Sequence, residues 1–389
     1  MRFEFATATR IIFGPGTIKE IAPLAAELGG CAFVVTGRTA ERAKPLLEQL
    51  NKKGIEYVTF NVPSEPTTTL VAEGVKLARQ SESDLVISIG GGSVLDTGKV
   101  IAALLTNSGE LEDYLEVVGL GKPLTQAPVP HIAIPTTAGT GAEVTRNAVI
   151  AVPEHKVKVS VRGSFMLPRV AVVDPELTHS MPSSLTASTG LDALTQLIEP
   201  YVSNKANPLI DGICREGLKR VGCSLRQAYE DGSNSSARED MALASLFSGL
   251  ALANAKLGAV HGFAGPLGGM ISAPHGVICA RFLPYVMQTN VRALQTRTPD
   301  SPALAKYDEI ARILTGKKTA QADDGVEWVK ALCAALELPS LDEFGFKESD
   351  FPMVVAKAKK SSSMKGNPIA LTDDELMKIL KKASKQMVQ

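Results

Sequence analysis

The hydrophobic and polar positions follow two different patterns along the chain, and the change comes near residue 180. Before that point, short runs of β-branched residues alternate with segments of helical period. The strand-like runs are CAFVVTG at 31–37, EYVTFNV at 56–62, DLVISIGGG at 84–92, HIAIPTTAGTG at 131–141 and RVAVVDP at 169–175. Strands that alternate with helices predict a parallel sheet covered on both faces. We therefore predict an α/β domain over residues 1–180.

After residue 180 the strand pattern nearly vanishes. The segments SSLTASTGLDALTQLIEPYVS, MALASLFSGLALANAKLG, ALAKYDEIARILTG and DGVEWVKALCAALELP all have helical period. The MPSS at 181–184 supplies a proline and serines where a helix would begin. The pattern therefore predicts an all-α domain over residues 181–389.

Composition narrows the classes of partner. The 389 residues include 41 basic and 41 acidic side chains, so the net charge of zero gives no electrostatic reason to expect nucleic acid or an anionic membrane. No apolar run reaches the roughly 20 residues that span a bilayer, and the N-terminus lacks the features of a secretory signal. The five cysteines are scattered without a CxxC pair. We expect reduced thiols, a cytoplasmic location and a small-molecule substrate.

Two glycine-rich loops follow predicted strands of the first domain. In SIGGGSVLDTGKVIAALL, at 88–105, a strand ends in glycines and a helix follows, so backbone amides at the helix start could bind phosphate. IPTTAGTGAEVT, at 134–145, is a second loop of this kind. A tight turn is the alternative for either loop alone. Two such loops at the carboxyl ends of parallel strands favour a dinucleotide.

The end of the second predicted strand bears on the choice between NAD and NADP. An acidic residue at this position usually binds the ribose hydroxyl of NAD. Here Gly37 and Arg38 stand there instead, and a guanidinium can pair with the additional phosphate of NADP. The sequence favours NADP over NAD, with a merely solvated Arg38 as the alternative.

A third segment, GAVHGFAGPLGGMISAPHG at 258–276, contains His261 and His275 in what we expect to be loops. Asp192 and Gln196 are four residues apart on a predicted helix and share a face. An aspartate in so apolar a stretch needs a partner if it is buried. A metal held by Asp192, His261 and His275 would leave an open coordination position for substrate. The alternative is that both histidines are structural.

Seven motifs occur in an order that resembles a known family. They are GGGSVLDTGK, IPTTAGTGAEVT, VVDPELTHSMP, TGLDALTQLIEPYVS, GAVHGFAGPLGG, PHG and SSSMKGNP. Together they resemble the iron-containing (group III) alcohol dehydrogenase family from about residue 10 to the C-terminus. The resemblance implies a Rossmann-like, dehydroquinate synthase-like nucleotide-binding domain and a helical metal-binding domain. It also implies a homodimer, and NAD(P)-dependent interconversion of an alcohol and an aldehyde or ketone by metal-assisted hydride transfer in the interdomain cleft.

The resemblance carries roles to single residues. The cofactor-binding positions are matched by Gly91, Gly92, Ser93, Asp96, Thr136, Thr137, Thr140 and Lys158. The metal-binding and catalytic positions are matched by Asp192, His261 and His275. Two departures stand out, because Gln196 and Gly265 occupy positions where the family commonly has histidine. Gln196 could coordinate through its amide oxygen, and the reduced number of imidazoles leaves both Fe²⁺ and Zn²⁺ open.

Three other interpretations remain at this stage. The first is a metal-free NAD(P)H-dependent reductase of an oxo acid, as in the maleylacetate reductase branch of the family, with Arg162 binding the substrate carboxylate. The second is a dehydroquinate synthase, whose own motif set is absent from the sequence. The third is a nucleotide-binding protein that has lost catalysis.

Overall fold

The computed structural model describes residues 2–155 and 157–385. The chain separates into two compact units. One unit is Ala6–Thr178, and the other comprises Met1–Phe5 and His179–Gln389.

The first unit is built on a parallel sheet. Its strands are β1 Arg10–Phe13, β2 Cys31–Gly37, β3 Glu56–Val62, β4 Leu85–Gly90, β5 His131–Pro135, β6 Asn147–Val152, β7 Val157–Arg162 and β8 Val170–Val173. Six of them form one sheet in the order β1-β8-β5-β4-β2-β3, in which every pairing is parallel. The central strands β4 and β5 are buried throughout, which is why their sequences are continuous apolar runs rather than alternating ones.

Helices cover both faces of this sheet. They are α1 Ile21–Leu28, α2 Lys44–Lys52, α3 Thr68–Gln80, α4 Gly92–Leu104 and the single turn α5 Leu111–Tyr114. Successive side chains of β2 point to opposite faces. Phe33 and Val35 accordingly pack into one apolar cluster, while Ala32 and Val34 pack into the other. The predicted α/β domain with a doubly covered parallel sheet is confirmed.

Two features of this unit are absent from the sequence prediction. The first is the edge strand β1, which pairs only with β8. The second is the antiparallel hairpin of β6 and β7, in which Asn147 pairs with Arg162 and Val152 with Val157. Ala148 and Ile150 of this hairpin are fully buried in the cluster that also contains residues of α4. The hairpin thus packs into the same apolar cluster as α4.

The second unit is helical. Its helices are α6 Ser183–Val202, α7 Pro208–Glu230, α8 Ser235–Asn254, α9 Ala259–Gly268, α10 His275–Arg297, α11 Pro302–Thr315, α12 Ala322–Ala335, α13 Phe351–Lys360 and α14 Asp373–Ala383. Between residues 179 and 385 the described chain contains no strand, so the predicted all-α domain is confirmed. The central helix α6 is buried along almost its whole length from Thr186 onward.

No single helix in residues 2–155 and 157–385 has both the length and the apolar composition needed to cross a membrane. Among the helices of these described ranges, one pair passes the test together, α8 with α9, and it is bent by 94° at the break between them.

Candidate functional site

The segment with the two histidines is helical, and the expectation of loops was wrong. His261 is the third residue of α9, and His275 is the first residue of α10. Glycine and proline disfavour helix in isolation, but tertiary packing overrides this propensity. Both helices are well buried against the rest of the unit, and burial of their apolar side chains supplies the stabilisation that the local sequence lacks.

The glycine after each histidine allows a close approach to another segment. A Cβ on Gly276 would lie 2.1 Å from the backbone oxygen of Ser188 in α6. A Cβ on Gly262 would lie 2.9 Å from Cε of Met364, which belongs to the late SSSMKGNP motif. A larger residue at position 276 would therefore push His275 away from α6, whereas one at position 262 would first displace the end of the Met364 side chain.

Buried polar groups fix the start of α9. The backbone N–H of Val260 donates to Oε1 of Glu199 at 2.6 Å, and that of Ala259 donates to Oδ1 of Asn367 at 3.1 Å. These bonds satisfy amides that have no partner within the helix itself. The SSSMKGNP motif thus contributes to the position of His261 through Asn367.

Glu199 also orients the His261 ring. It lies seven residues after Asp192 on α6, and its Oε2 accepts a hydrogen bond from Nδ1 of His261 at 2.7 Å. With Nδ1 engaged in this way, Nε2 of His261 faces Asp192. A carboxylate in this position is the usual partner of a metal-binding imidazole, because it fixes the tautomer and raises the basicity of the other nitrogen.

Three of the predicted metal-site residues converge, and a fourth side chain joins them. Oδ1 of Asp192 lies 3.4 Å from Nε2 of His261 and 3.8 Å from Nε2 of His275. Sγ of Cys279 lies 3.6 Å from Nε2 of His275 and 3.8 Å from Nε2 of His261. The donor atoms of Asp192, His261, His275 and Cys279 all lie within 4.8 Å of one another. We call these four residues the metal cluster. Among them only the His275 side chain is substantially exposed, at 42%, so the cluster is open to solvent on the His275 side and buried elsewhere.

Sequence reasoning missed Cys279. The available signal was its spacing, since it follows His275 by four residues and therefore shares its face of a helix. The expectation that this segment is a loop hid that relation.

The charges in the metal cluster perturb one another. Burial alone would raise the pKa of Asp192, but the facing imidazoles of His275 and His261 and the thiol of Cys279 more than offset it and lower that pKa. Burial alone would lower the pKa of His261, yet Cys279, Asp192 and Glu199 together raise it well above its usual value. Burial raises the pKa of Cys279 to about 12, against the opposing attraction of His261. The cluster is thus arranged to stabilise positive charge beside Asp192.

The residues present fit a divalent cation. Oδ1 of Asp192 is buried and has no hydrogen-bond partner within the described ranges, which is costly for a carboxylate unless a cation is supplied. Carboxylate, imidazole and thiol are all ligands of zinc and of other first-row metals.

The two departures from the family pattern have different surroundings. Nε2 of Gln196 donates to Oδ2 of Asp192 at 3.1 Å, so its amide helps to hold the carboxylate. Direct coordination by the Gln196 oxygen stays a prediction. Around Gly265, no atom of the described chain outside its immediate neighbourhood lies within 4 Å of the position that a Cβ would take.

The α/β unit brings several predicted cofactor residues together. The carboxyl ends of β2, β4 and β5 are neighbours in the sheet, and a pocket of about 180 Å³ opens there. It is lined by Thr36, Gly37, Arg38, Thr39, Arg42, Ala43, Ile89, Gly90, Gly91, Thr136 and Thr137. Arg38 and Arg42 thus lie on the same pocket as the two glycine-rich loops. Arg42 was not predicted, and its spacing of four residues from Arg38 was the only signal for it.

The start of α4 has the features of a phosphate site. Gly91 is its N-cap residue and makes no side-chain capping bond, so the first amides of this 13-residue helix are available to a ligand. A Cβ on Gly92 would lie 3.0 Å from the Thr140 side chain, so the first turn of α4, with Ser93 in it, abuts the loop after β5.

Other predicted residues have partners of their own. Oδ2 of Asp96 accepts from the backbone of Val149 at 2.9 Å, and its Oδ1 lies 3.3 Å from Nζ of the buried Lys99. Lys158 forms an ion pair with Glu65 at 2.6 Å. The cofactor roles of Asp96 and Lys158 stay predictions, and these contacts tie the β6–β7 hairpin to the rest of the unit.

Arg162 is half-exposed, and its Nε lies 3.6 Å from the Glu116 carboxylate.

Comparison with known proteins gives matches over nearly the whole chain. Residues 8–175 match the family described as iron-containing alcohol dehydrogenase, and residues 186–384 match the C-terminal domain of the Fe-containing alcohol dehydrogenase family. The chain is 36% identical over 394 residues to a 1,3-propanediol dehydrogenase of Klebsiella pneumoniae, covering 98% of each chain. It is 38% identical over 384 residues to alcohol dehydrogenase 4 of Saccharomyces cerevisiae, covering 95% of this chain and 96% of the relative.

A solved structure shows the same fold. The crystal structure of a 1,3-propanediol oxidoreductase superimposes with a TM-score of 0.91 at 34% identity, covering 98% of this chain and 100% of the other.

Proposed function

Since the chain belongs to the iron-containing alcohol dehydrogenase family, we propose that Asp192, His261 and His275 hold its divalent metal and that the α/β unit binds NADP(H). The chain is an NAD(P)-dependent oxidoreductase that interconverts an alcohol and an aldehyde or ketone, which confirms the activity predicted from the sequence. Members of the family use NAD(H) together with iron or another divalent metal.

The metal-free alternative is not favoured. The relatives are alcohol, propanediol and methanol dehydrogenases, and a metal-binding group is present in the helical unit. Arg162, on which the oxo-acid alternative depended, has Glu116 as an ion-pair partner.

The main support for the proposed metal site is that the donor atoms of Asp192, His261 and His275 lie within 4.8 Å of one another. When bound, the cation polarises the substrate oxygen, and the nicotinamide nucleotide supplies or accepts the hydride. The chain's own residues keep this arrangement in place. Glu199 orients His261, Gln196 holds the second oxygen of Asp192, and burial excludes water from all but the His275 side.

The nucleotide half of the proposal rests on the pocket at the ends of β2, β4 and β5. The α4 amides suit a pyrophosphate, while Arg38 and Arg42 offer two guanidinium groups on the same pocket. This charge favours the 2′-phosphate of NADP over the bare ribose of NAD. We therefore propose that residues 1–180 bind the nucleotide and that residues 181–389 bind metal and substrate.

Metal identity, assembly and location complete the proposal. The ligand set suits Fe²⁺ or Zn²⁺, and the substrate is a small alcohol or its carbonyl counterpart. The five cysteines are all free, which is consistent with a reducing cytoplasm. A homodimer is proposed from the family resemblance alone, and light scattering of the purified protein measures it.

The decisive experiment combines metal analysis with activity. Protein purified without added metal is analysed for metal content, and NADPH- and NADH-dependent reduction of aldehydes and oxo acids is measured before and after chelation. We expect roughly one zinc or iron per chain, loss of aldehyde reduction on chelation and recovery on metal addition. Chelation-resistant activity in metal-free protein would overturn the proposal.

A further inference from the structure

The thiol of Cys279 stands out among the buried cysteines of the helical unit. A buried free cysteine usually acts as a small apolar side chain. Cys333 fits that description, with its Sγ on the backbone oxygen of Ala280. Cys279 differs, because it is fully buried and faces two imidazole nitrogens at 3.6 and 3.8 Å.

We propose that Cys279 is the fourth protein ligand of the metal, so that the cation is held by one carboxylate, two imidazoles and one thiolate. This inference rests on the proposed function, since it concerns the same metal. The family commonly has a histidine ligand at the position of Gln196, and in this chain Cys279 would supply the missing ligand instead. It also predicts that the site prefers thiophilic ions such as Zn²⁺ and Co²⁺ to Fe²⁺.

Most of the separations within the metal cluster agree with tetrahedral coordination. With bonds of about 2.0–2.3 Å to oxygen, nitrogen and sulfur, neighbouring ligands of a tetrahedral ion lie about 3.3–3.8 Å apart. Four of the six separations between these donor atoms run from 3.4 to 3.8 Å, and all six lie within 4.8 Å. Adjacent ligands of an octahedral ion with bonds of about 2.1 Å would lie closer, at about 3.0 Å. These separations suit four protein ligands arranged close to tetrahedrally, and the substrate oxygen would then bind as a fifth ligand from the exposed His275 side.

The helical framework explains why these four donors meet. His275 and Cys279 are one turn apart on α10, so one face of that helix supplies two donors. Gly276 lets this face approach α6, where Asp192 presents a buried oxygen without a hydrogen-bond partner in the described chain. The buried Asp192 oxygen and the buried thiol are independent indications of a cation at the same point.

Gln196 then has a positioning role. Its Nε2 donates to Oδ2 of Asp192, which leaves Oδ1 as the oxygen on the cluster side.

Binding of the cation forms a metal–sulfur bond and releases the thiol proton to solvent. The carboxylate and the thiolate together balance the charge of a divalent ion.

Cobalt spectroscopy tests the inference without relying on activity. Full-length protein is stripped of metal by chelation, loaded with Co²⁺ alone and examined by absorption in the near ultraviolet, where thiolate-to-cobalt charge transfer appears. We expect the band in the wild type and in Cys214→Ala, a matched buried cysteine outside the cluster. We expect no band in Cys279→Ser or Cys279→Ala, together with a drop in zinc affinity of roughly 10–100-fold or more.

A second variant distinguishes loss of the thiolate ligand from misfolding of the protein. Adding Gln196→His to Cys279→Ala supplies an imidazole on the same cluster, and we expect Co²⁺ binding to recover without the charge-transfer band. A band that persists in Cys279→Ala, or cobalt uptake by the wild type without a band, would overturn the role of Cys279 and leave the proposed function standing. Failure of the wild type to bind Co²⁺ or Zn²⁺ at all would overturn both.

Discussion

His275 is the most exposed side chain of the metal cluster, and its loss is the least disruptive way to open that cluster. It begins α10, so removal of its ring leaves the buried core of the helical unit intact. Asp192, by contrast, is buried beside His261, and a replacement there that changes the size of the side chain also disturbs packing. His275 is therefore the better residue for separating metal binding from folding.

For His275→Ala we expect loss of bound metal and a fall in kcat/KM of at least about 100-fold, because one ligand of the Lewis acid is gone. NADPH binding, measured by quenching or enhancement of nucleotide fluorescence, is expected to stay within a few-fold of the wild type. Turnover at the wild-type rate in this variant would contradict the assignment of His275.

Arg38 lines the nucleotide pocket, and its Nε donates to the backbone oxygen of Pro63 at 3.2 Å. A charge-assisted hydrogen bond is worth about 1.5–3 kcal/mol, so we expect Arg38→Ala to raise KM for NADPH by roughly 10–100-fold. KM for NADH serves as the internal control and is expected to change little. An equal rise for both nucleotides would show that Arg38 does not recognise the additional phosphate.

At the level of elements, the approach of α10 to α6 sets the geometry of the metal cluster. Gly276 lies at a close contact between the two helices, because a Cβ there would stand 2.1 Å from the Ser188 backbone oxygen. A methyl group there must move the start of α10, and with it the His275 ring, by an ångström or so.

We expect Gly276→Ala to weaken metal binding by roughly 10–100-fold in a competition assay with a chromogenic chelator, because the ligands lose their alignment. Gly265→Ala is the matched control in α9, where a Cβ meets open space. That change is expected to leave metal affinity unaltered and to stabilise the helix by up to about 1 kcal/mol. Similar metal affinities of the two variants would contradict this account.

The turn that follows the threonine loop after β5 contains a buried carboxyl group, Glu143. Burial raises the pKa of Glu143 from 4.5 to about 7, against smaller opposing effects from its own backbone and from Lys99. A carboxyl group with a raised pKa in the folded state contributes stability that is fully present below its unfolded pKa of 4.5. This contribution is lost as pH rises through about 7, because the folded state must then bury a charge.

We expect Glu143→Gln to gain stability relative to the wild type by about 2–3 kcal/mol between pH 5 and pH 8. Urea unfolding followed by circular dichroism at both pH values measures the change. Glu154→Gln, at an exposed position in the turn between β6 and β7, is the control and is expected to show no such trend. A pH-independent difference would remove Glu143 as the cause.

The elements differ in how far the sequence could predict them. The buried strands β2, β4 and β5 are marked by continuous apolar runs, and the helices α6, α8, α11 and α12 by helical period, and the sequence predicts these elements correctly. The start of α9 was misjudged, because its helix depends on Glu199 and Asn367, which accept hydrogen bonds from 61 and 108 residues away. No local pattern encodes such partners. The metal cluster was found through its aspartate and histidines, whereas Cys279 was hidden by the same misjudged loop.

On the scale of the whole molecule, metal binding is linked to stability. A cation that binds only the folded protein stabilises it by about 2.7 kcal/mol at 100 times its dissociation constant and by about 4.1 kcal/mol at 1,000 times. We expect chelation to lower the thermal midpoint followed by circular dichroism, and added Zn²⁺ to restore it. Asp192→Asn, which removes the central carboxylate charge, should abolish this shift, and an undiminished shift would place the metal elsewhere.

The pairing of β1 with β8 has a consequence for the protein during its synthesis. Arg10 pairs with Val170, so the partner of the first strand is made 160 residues later. At about 5–20 residues per second, β1 waits roughly 8–32 s on the ribosome for that partner. The strands β2, β3 and β4, which are neighbours in both chain and sheet, can assemble in the meantime. The nascent chain therefore builds its sheet from one side, and its first strand is among the last to be joined.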